Sequence, residues 1–134
     1  MIEWVVIWVT SNSVPPAKFS SGDACWLMVR HKQRGWELPG GSLEVNETVE
    51  AAVHRELFEE TGLVGEIQAI SDNCLDGGFL AWVVVDKNPS SEFWKSHDAS
   101  IEEVGWWMEL PESPHWGVDE IAKCADYWYL FNNS

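Results

Sequence analysis

The stretch from Val49 to Thr61 has the periodicity of a helix, and it breaks the pattern by which a packed helix is built. At helical steps Ala52, Val53 and Leu57 share one apolar sector roughly 140° wide. Glu56 and Glu60 fall inside that sector, and Glu59 sits beside it, one turn from Glu56. A buried carboxylate without a partner is strongly disfavoured and takes up a proton instead. Two compensations are open. Arg55 and other cations pair these acids on a solvated face, or the three carboxylates share a hard divalent cation such as Mg²⁺, which takes oxygen ligands and keeps some water. The ends of the segment are marked as well. Asn46 is an N-cap candidate, the helix is predicted from Glu47 or Thr48 to Thr61, and Gly62 supplies a left-handed stop.

Around this helix the chain reads as strands and turns. Ile2 to Thr10 is β-rich, and Ser11 to Gly22, with Pro15 and Pro16, is a loop. Cys25 to His31 is a second strand, Gln33 to Gly35 a turn, and Trp36 to Leu38 extends again before Pro39-Gly40-Gly41 breaks the backbone. Glu66 to Asn73 and Gly78 to Asp86 are predicted strands joined by an Asp-Gly-Gly turn, and Glu103 to Leu110 is another. Val118 to Phe131 closes the chain as a helix offering Ile121, Ala122, Ala125, Tyr127 and Leu130 for packing. Strands with one central and one terminal helix predict an α/β fold, a mixed sheet flanked by helices.

Length and composition fit one such unit. With 134 residues, 46% of them apolar, the chain suits a single domain over residues 1–134, and ten Trp give it too much to bury for disorder. Its longest apolar runs, Trp4 to Val9 and Phe79 to Val85, are far below the roughly 20 residues of a membrane span. No Lys or Arg precedes Lys18, so no secretory leader is expected and the cytoplasm is the default compartment. Twenty-two Asp and Glu against eight Lys and Arg leave a formal charge of −14, which repels a nucleic-acid polymer but not a small phosphate carried with a divalent cation. Cys25, Cys74 and Cys124 are odd in number and form no CxxC, and they read as reduced thiols.

From Gly41 the chain runs GSLEVNETVEAAVHRELFEETGL. Gly41, Glu47, Arg55-Glu56-Leu57, Glu59-Glu60 and Gly62-Leu63 fill every fixed position of the pattern GX5EX7REUXEEXGU, where U is aliphatic. This resembles the signature of the Nudix hydrolase family, and Trp36-Glu37-Leu38-Pro39-Gly40-Gly41 leading into it looks like that family too. The resemblance implies an α/β/α sandwich that hydrolyses a nucleoside diphosphate linked to another group, using Mg²⁺ or Mn²⁺. It implies that Glu56, Glu59, Glu60 and the backbone carbonyl of Gly40 face the metal, that Glu47 pairs with Arg55 or reaches the cluster through water, and that Arg55 orients Glu56. A plain helix salt bridge is the alternative for Arg55. Glu56 is the first choice for general base. Some members recruit a later loop glutamate, for which Glu103, and less so Glu102, is the candidate; each is otherwise a solvated loop acid.

Trp4, Trp8, Trp26 and Trp82 lie in predicted strands and belong to the core. Trp36, Trp106, Trp107 and Trp116 fall near the expected cleft, where an indole could stack on a base. Trp116 to Asp119-Glu120 loosely resembles the base-reading segment of enzymes that sanitise oxidised purine triphosphates, which makes Trp36, Trp116 and Asp119 the candidate substrate contacts. A cap and first turn for the last helix is the plainer reading of that segment. The Pro or Tyr that tends to follow the signature in enzymes cleaving ADP-ribose or dinucleoside polyphosphates is replaced here by Gly78-Phe79-Leu80-Ala81. A compact MutT-like (d)NTP pyrophosphohydrolase, releasing a monophosphate and pyrophosphate, is therefore the expectation. A nucleotide-sugar or ADP-ribose-type hydrolase is the alternative, followed by a non-catalytic nucleotide sensor. The expected partner is a small nucleotide, not a nucleic acid or a membrane, and a homodimer is one assembly open to the chain.

Overall fold

The computed structural model describes residues 3–111 and 117–134. Strand β1, Trp4–Ser11, leads through a loop with one 3-10 turn to β2, Trp26–His31. Next come β3, Gly35–Glu37, β4, Gly40–Ser42, and helix α1, Val49–Thr61. The second half carries β5, Gly65–Leu75, β6, Gly78–Val85, β7, Trp94–Lys95, β8, Ile101–Trp107, and helix α2, Val118–Asn132. The expected single mixed sheet is two four-stranded sheets, β4-β1-β6-β5 and β3-β2-β8-β7. Among the described residues only β1 and β6 run parallel, and the second sheet is antiparallel throughout. No ladder joins β1 to β2 among the described residues. Their link is side-chain packing, with Trp8 stacked on Trp26 at 5.3 Å between ring centroids.

Alternation along the strands sorts the interior into two cores, because successive side chains leave a strand on opposite faces. Val5, Ile7 and Val9 of β1, Leu27 and Val29 of β2, and Ala81 and Val83 of β6 pack with Ala52, Val53 and Leu57 of α1. The intervening Val6, Trp8, Trp26, Met28, Leu80 and Trp82 pack with Ile121, Cys124, Ala125 and Trp128 of α2. The helices thus cover opposite faces of the strand layer.

Several local expectations are corrected. The N-cap of α1 is Thr48, in extended backbone, whose side-chain oxygen accepts the Ala51 N–H at 3.1 Å. Asn46 sits at φ 64° and turns the loop instead, a conformation that asparagine tolerates better than most residues. Gly62 is the left-handed stop at φ 78°. The segment read as a break at Pro39-Gly40-Gly41 contains strand β4, which pairs with β1 at Val6↔Gly40 and Val5↔Gly41. Strand β7 went unforeseen. Leu130, expected in the packing face of α2, is exposed, and Cys124 and Trp128 take the buried positions. All three cysteines are free and buried. Among the described residues no helix is long and apolar enough to cross a membrane.

Candidate active site

The two carboxylates that violate the helix pattern lie against glycine backbone. Strand β4 enters at Gly40, held by its pairing with β1 and by the Ile7 N–H bonding to the Pro39 carbonyl at 2.9 Å. Gly40 adopts φ 156°, and a Cβ there would collide with the Val5 carbonyl. At Gly41 a Cβ would fall 2.5 to 2.9 Å from the carboxylate atoms of Glu56, so that carboxylate occupies the space left by the missing side chain. Glu60 Oε1 accepts the Gly40 N–H at 3.0 Å. Glu56 is only 9% exposed. Glu59, pointing further out, is half exposed at its side chain.

Arg55 ties this corner together. Its Nε and Nη2 donate to the two oxygens of Glu47 at 2.7 and 2.9 Å, a forked pairing. Nη1 donates to Glu56 at 2.9 Å and to Glu59 at 3.5 Å, and Nη2 also reaches the Ser42 carbonyl at 3.0 Å. Glu44 adds an ion pair at 3.0 Å. The guanidinium therefore bridges the loop before α1, strand β4 and the helix itself, which is more than one salt bridge along a helix. Hydrogen bonds from Arg55 hold the Glu47 carboxyl down at about 2, aided by the Glu44 N–H.

The inner carboxylates are pushed the other way. Burial raises Glu60 to about 8; the Gly40 N–H opposes this, and repulsion from Glu56, Glu37 and Asp98 adds to it. Burial also raises Glu56, against the pull of Arg55, with Glu59 and Asp98 contributing repulsion. Two acids that sequence reasoning did not single out therefore act on these carboxylates through their charge. Glu37 follows Trp36 on β3, pairs with Val29 on the α1 face, and is held by Arg34 at 2.8 Å. A cleft of about 250 Å³ opens there, lined in part by Arg34, Glu37, Gly40 and Gly41. Strand parity was the signal that could have found Glu37. Asp98 lies in the loop before β8, fixed by the Ser100 N–H and hydroxyl at 2.8 and 2.7 Å, and no periodic pattern marks it.

These groups suit a divalent cation in kind. They are partly buried oxygen acids, backed by bare backbone, and the cation beside Glu56, Arg55, has its donors taken by Glu47, Glu56, Glu59 and Ser42. Among the described residues no three of His, Cys, Asp or Glu already converge as an ion-holding set. Glu56 faces Gly41 and Arg55, whereas Glu60 faces Gly40.

The remaining sequence candidates among the described residues make no hydrogen bond or ion pair with Glu56, Glu59 or Glu60. Glu103 pairs across the ladder with Arg30, which donates to it and also meets Glu102 at 3.1 Å. The adjacent pair Val29↔Val104 belongs to the α1 core, so Arg30 and Glu103 stand on the opposite face. Glu103 is thus paired with a strand arginine, and with Glu102 and Asp98 it lines a cleft of about 590 Å³. Trp36 shares that face. It is 7% exposed, enclosed by Phe93 at 5.1 Å and Trp107 at 5.0 Å with the Arg30 guanidinium at 5.9 Å, and it packs instead of offering an open ring. Asp119 is exposed in the first turn of α2, where an acid suits the positive end of the helix dipole. Trp116 lies outside the described residues.

Comparison with known proteins yields a family match and partial relatives. The NUDIX domain family model matches residues 16–128. The chain is similar to the putative 8-oxo-dGTP diphosphatase YtkD of Bacillus subtilis (strain 168), 51% identical over 37 residues, or 28% of this chain and 23% of that protein. It is also similar to the RNA pyrophosphohydrolase of Blochmanniella floridana, 48% identical over 42 residues, or 31% of this chain and 26% of that protein. The chain thus matches about a quarter of the length of these relatives. The crystal structure of a NUDIX-family hydrolase from Clostridium perfringens superposes with a TM-score of 0.63 at 14% identity, covering 96% of both chains, a likeness of fold.

Proposed function

The chain belongs to the NUDIX family, and from that premise we propose that it is a metal-dependent pyrophosphohydrolase that cleaves a nucleoside triphosphate to a monophosphate and pyrophosphate. The observation that carries this reading is the seating of Glu56 and Glu60 on the bare backbone of Gly41 and Gly40. A helix serving only to pack gains nothing from burying two acids that repel each other. Glu56, Glu59 and Glu60, with the Gly40 carbonyl, would hold Mg²⁺ or Mn²⁺. When bound, such an ion neutralises phosphate charge and makes a coordinated water more acidic.

The chain's own residues supply the rest. Glu47 anchors Arg55, and Arg55 fixes the Glu56 carboxylate by a bond of 2.9 Å, which makes both of them positioning residues. Glu56 accepts the proton of the attacking water. Asp98 and Glu103, which line one cleft, are the two candidates for a later loop acid, and the charge of Asp98 acts on both Glu56 and Glu60. Asp119 accepts a hydrogen bond from a purine N–H, which gives the base preference.

A small triphosphate is favoured over the triphosphate end of an RNA by charge: 22 acids against eight Lys and Arg repel a long polyanion. The deciding experiment incubates the protein and Mg²⁺ with (d)NTPs, nucleotide sugars, ADP-ribose and a 5′-triphosphorylated RNA, measuring monophosphate, pyrophosphate and phosphate separately. Highest kcat/KM on a purine (d)NTP, with pyrophosphate released, is the expected result. A much higher value on ADP-ribose, a nucleotide sugar or the RNA overturns the substrate assignment. Full turnover in excess EDTA overturns the metal. Asp119→Asn shifts preference among bases more than it lowers the rate on any one of them.

A further inference from the structure

The turn between β2 and β3 delivers a basic side chain to the acid corner. His31 closes β2, and its Nδ1 accepts the Gln33 and Arg34 N–H groups at 3.1 and 3.3 Å, which fixes the turn from within. Gly35 follows at φ 92° and starts β3. Arg34 then reaches along β3 to Glu37, with Nη2 donating to Oε1 at 2.8 Å and Nε to Oε2 at 3.3 Å. Glu37 is the firmer member of this pair, its side chain 11% exposed against 49% for Arg34. The strand holds the acid, and the acid holds the arginine.

Both side chains line the cleft of about 250 Å³ that Gly40 and Gly41 also line. Gly40 donates its N–H to Glu60, and Gly41 leaves the space that Glu56 fills, so the same backbone borders the cleft and the two inner carboxylates. Arg34 is the one basic residue among those described along this cleft. A guanidinium has two edges that can hold an anion in a fork: Nε with one terminal nitrogen, and the two terminal nitrogens together. Glu37 takes the first. The second Nη2 hydrogen and both Nη1 hydrogens have no acceptor among the described residues. Arg55 differs, because Glu47, Glu56, Glu59 and Ser42 take its donors. Where a phosphate chain meets the acid corner, Arg34 has an edge to offer.

We infer that Arg34 is a substrate-binding residue, which holds the phosphate chain of the nucleotide through its Nη1–Nη2 edge, and that Glu37 is the positioning residue that aims it. The inference rests on the hydrolytic reading above and adds to it a cation for phosphate oxygens, which Glu56, Glu59 and Glu60 repel on their own. The Glu37 carboxylate lowers the net charge of the pair, so the contribution of Arg34 is directional. Its fork is set before the nucleotide arrives, and less side-chain freedom is left to lose on binding.

The test uses the full chain with Mg²⁺ and follows, by calorimetry, binding of the α,β-methylene analogue of dGTP, whose bridging carbon resists hydrolysis; KM and kcat are measured on dGTP itself. Arg34→Ala should weaken the analogue about 10- to 100-fold and raise KM by a similar factor, with a smaller change in kcat. Arg34→Lys keeps the charge without the fork and should recover only part of the loss. Glu37→Gln loosens the arginine and should cost about 2- to 10-fold in affinity. The double variant Arg34→Ala, Glu37→Gln should bind as weakly as Arg34→Ala, because the loss is a missing contact to phosphate and not an acid left without its partner. Affinity and KM within about twofold of the parent in Arg34→Ala would overturn the inference, as would full recovery in the double variant. A parent chain that binds the analogue but releases no pyrophosphate from any (d)NTP would instead remove the hydrolytic reading, with analogue binding in Arg34→Ala still deciding the role of Arg34. A parent that does not bind the analogue would overturn both.

Discussion

Helices α1 and α2 cover opposite faces of one strand layer, yet they are built on different terms. The buried residues of α2 are Ile121, Cys124, Ala125 and Trp128, spaced as an uninterrupted apolar stripe, with Trp128 packed on Trp82 at 6.0 Å. The same side of α1 buries Ala52, Val53 and Leu57 but gives one buried place to Glu56 and a half-buried one to Glu60. Packing accounts for every buried residue of α2. It accounts for only half of α1, and the residues it leaves over are those that touch Gly40, Gly41 and Arg55. A helix whose burial pattern and residue types disagree is where chemistry should be sought.

The sharpest break of this contrast is Glu56→Gln or Glu60→Gln. Each should lower kcat by at least about 10³, a barrier change of about 4 kcal/mol, with the circular dichroism spectrum unchanged. A loss below about tenfold would mean that α1 is a packing helix after all. Trp128→Ala should show the reverse profile. It should cost about 3–5 kcal/mol of stability in denaturant unfolding, while the folded fraction keeps its kcat. Less drastic is the pair Asp98→Asn and Glu103→Gln, which separates two acids that line one cleft. The first should reduce kcat roughly 10- to 100-fold and the second by no more than about threefold; equal losses would show that strand parity misassigned Glu103.

The smallest effect is a pH dependence of stability. The folded state holds the Glu60 proton up to about 8, well above its ordinary value, so ionising this group costs folding free energy. The metal-free melting temperature should therefore fall as pH rises from the ordinary carboxylate range through about 8, and the fall should shrink in Glu60→Gln or with millimolar Mg²⁺. Glu47 acts in the opposite sense. Its contribution is complete above the ordinary carboxylate range and is lost only on acidification toward about 2, so it leaves the neutral slope untouched. An identical slope in Glu60→Gln would remove Glu60 from the buried set.

Much of this organisation was legible because it is local. Gly62 stops α1, alternation marks the long strands, and the conflict at Glu56 and Glu60 is visible at helical spacing. What escaped depends on partners distant in the chain. Gly40 and Gly41 look like a break until β1 is there to pair with them. The cap fell to Thr48 because Asn46 is spent on a left-handed turn, a choice fixed by how the loop meets Arg55 and Glu47. The face of Glu103 follows from the register of β8 against β2, including an irregularity after Arg30, and no single strand carries that information. Trp36 looked available for stacking because nothing nearby in sequence announces that Phe93 and Trp107 will enclose it. Asp98 and Glu37 are brought near the acid corner only by the tertiary fold.

Arginine has five side-chain N–H groups, and Arg55 has an acceptor for every one: two on Glu47, one each on Glu56 and Glu59, and the Ser42 carbonyl. No donor is left over for an incoming phosphate. The same bonds oppose rotation of the guanidinium about its own bonds and slow exchange of its protons with water. In a nuclear magnetic resonance spectrum this side chain should stand apart from exposed arginines, with resolved signals persisting at neutral pH. The residue that holds the acid corner together is thus also a native spectroscopic reporter for it, showing in solution whether Glu47 and Glu56 keep their places as nucleotide comes and goes.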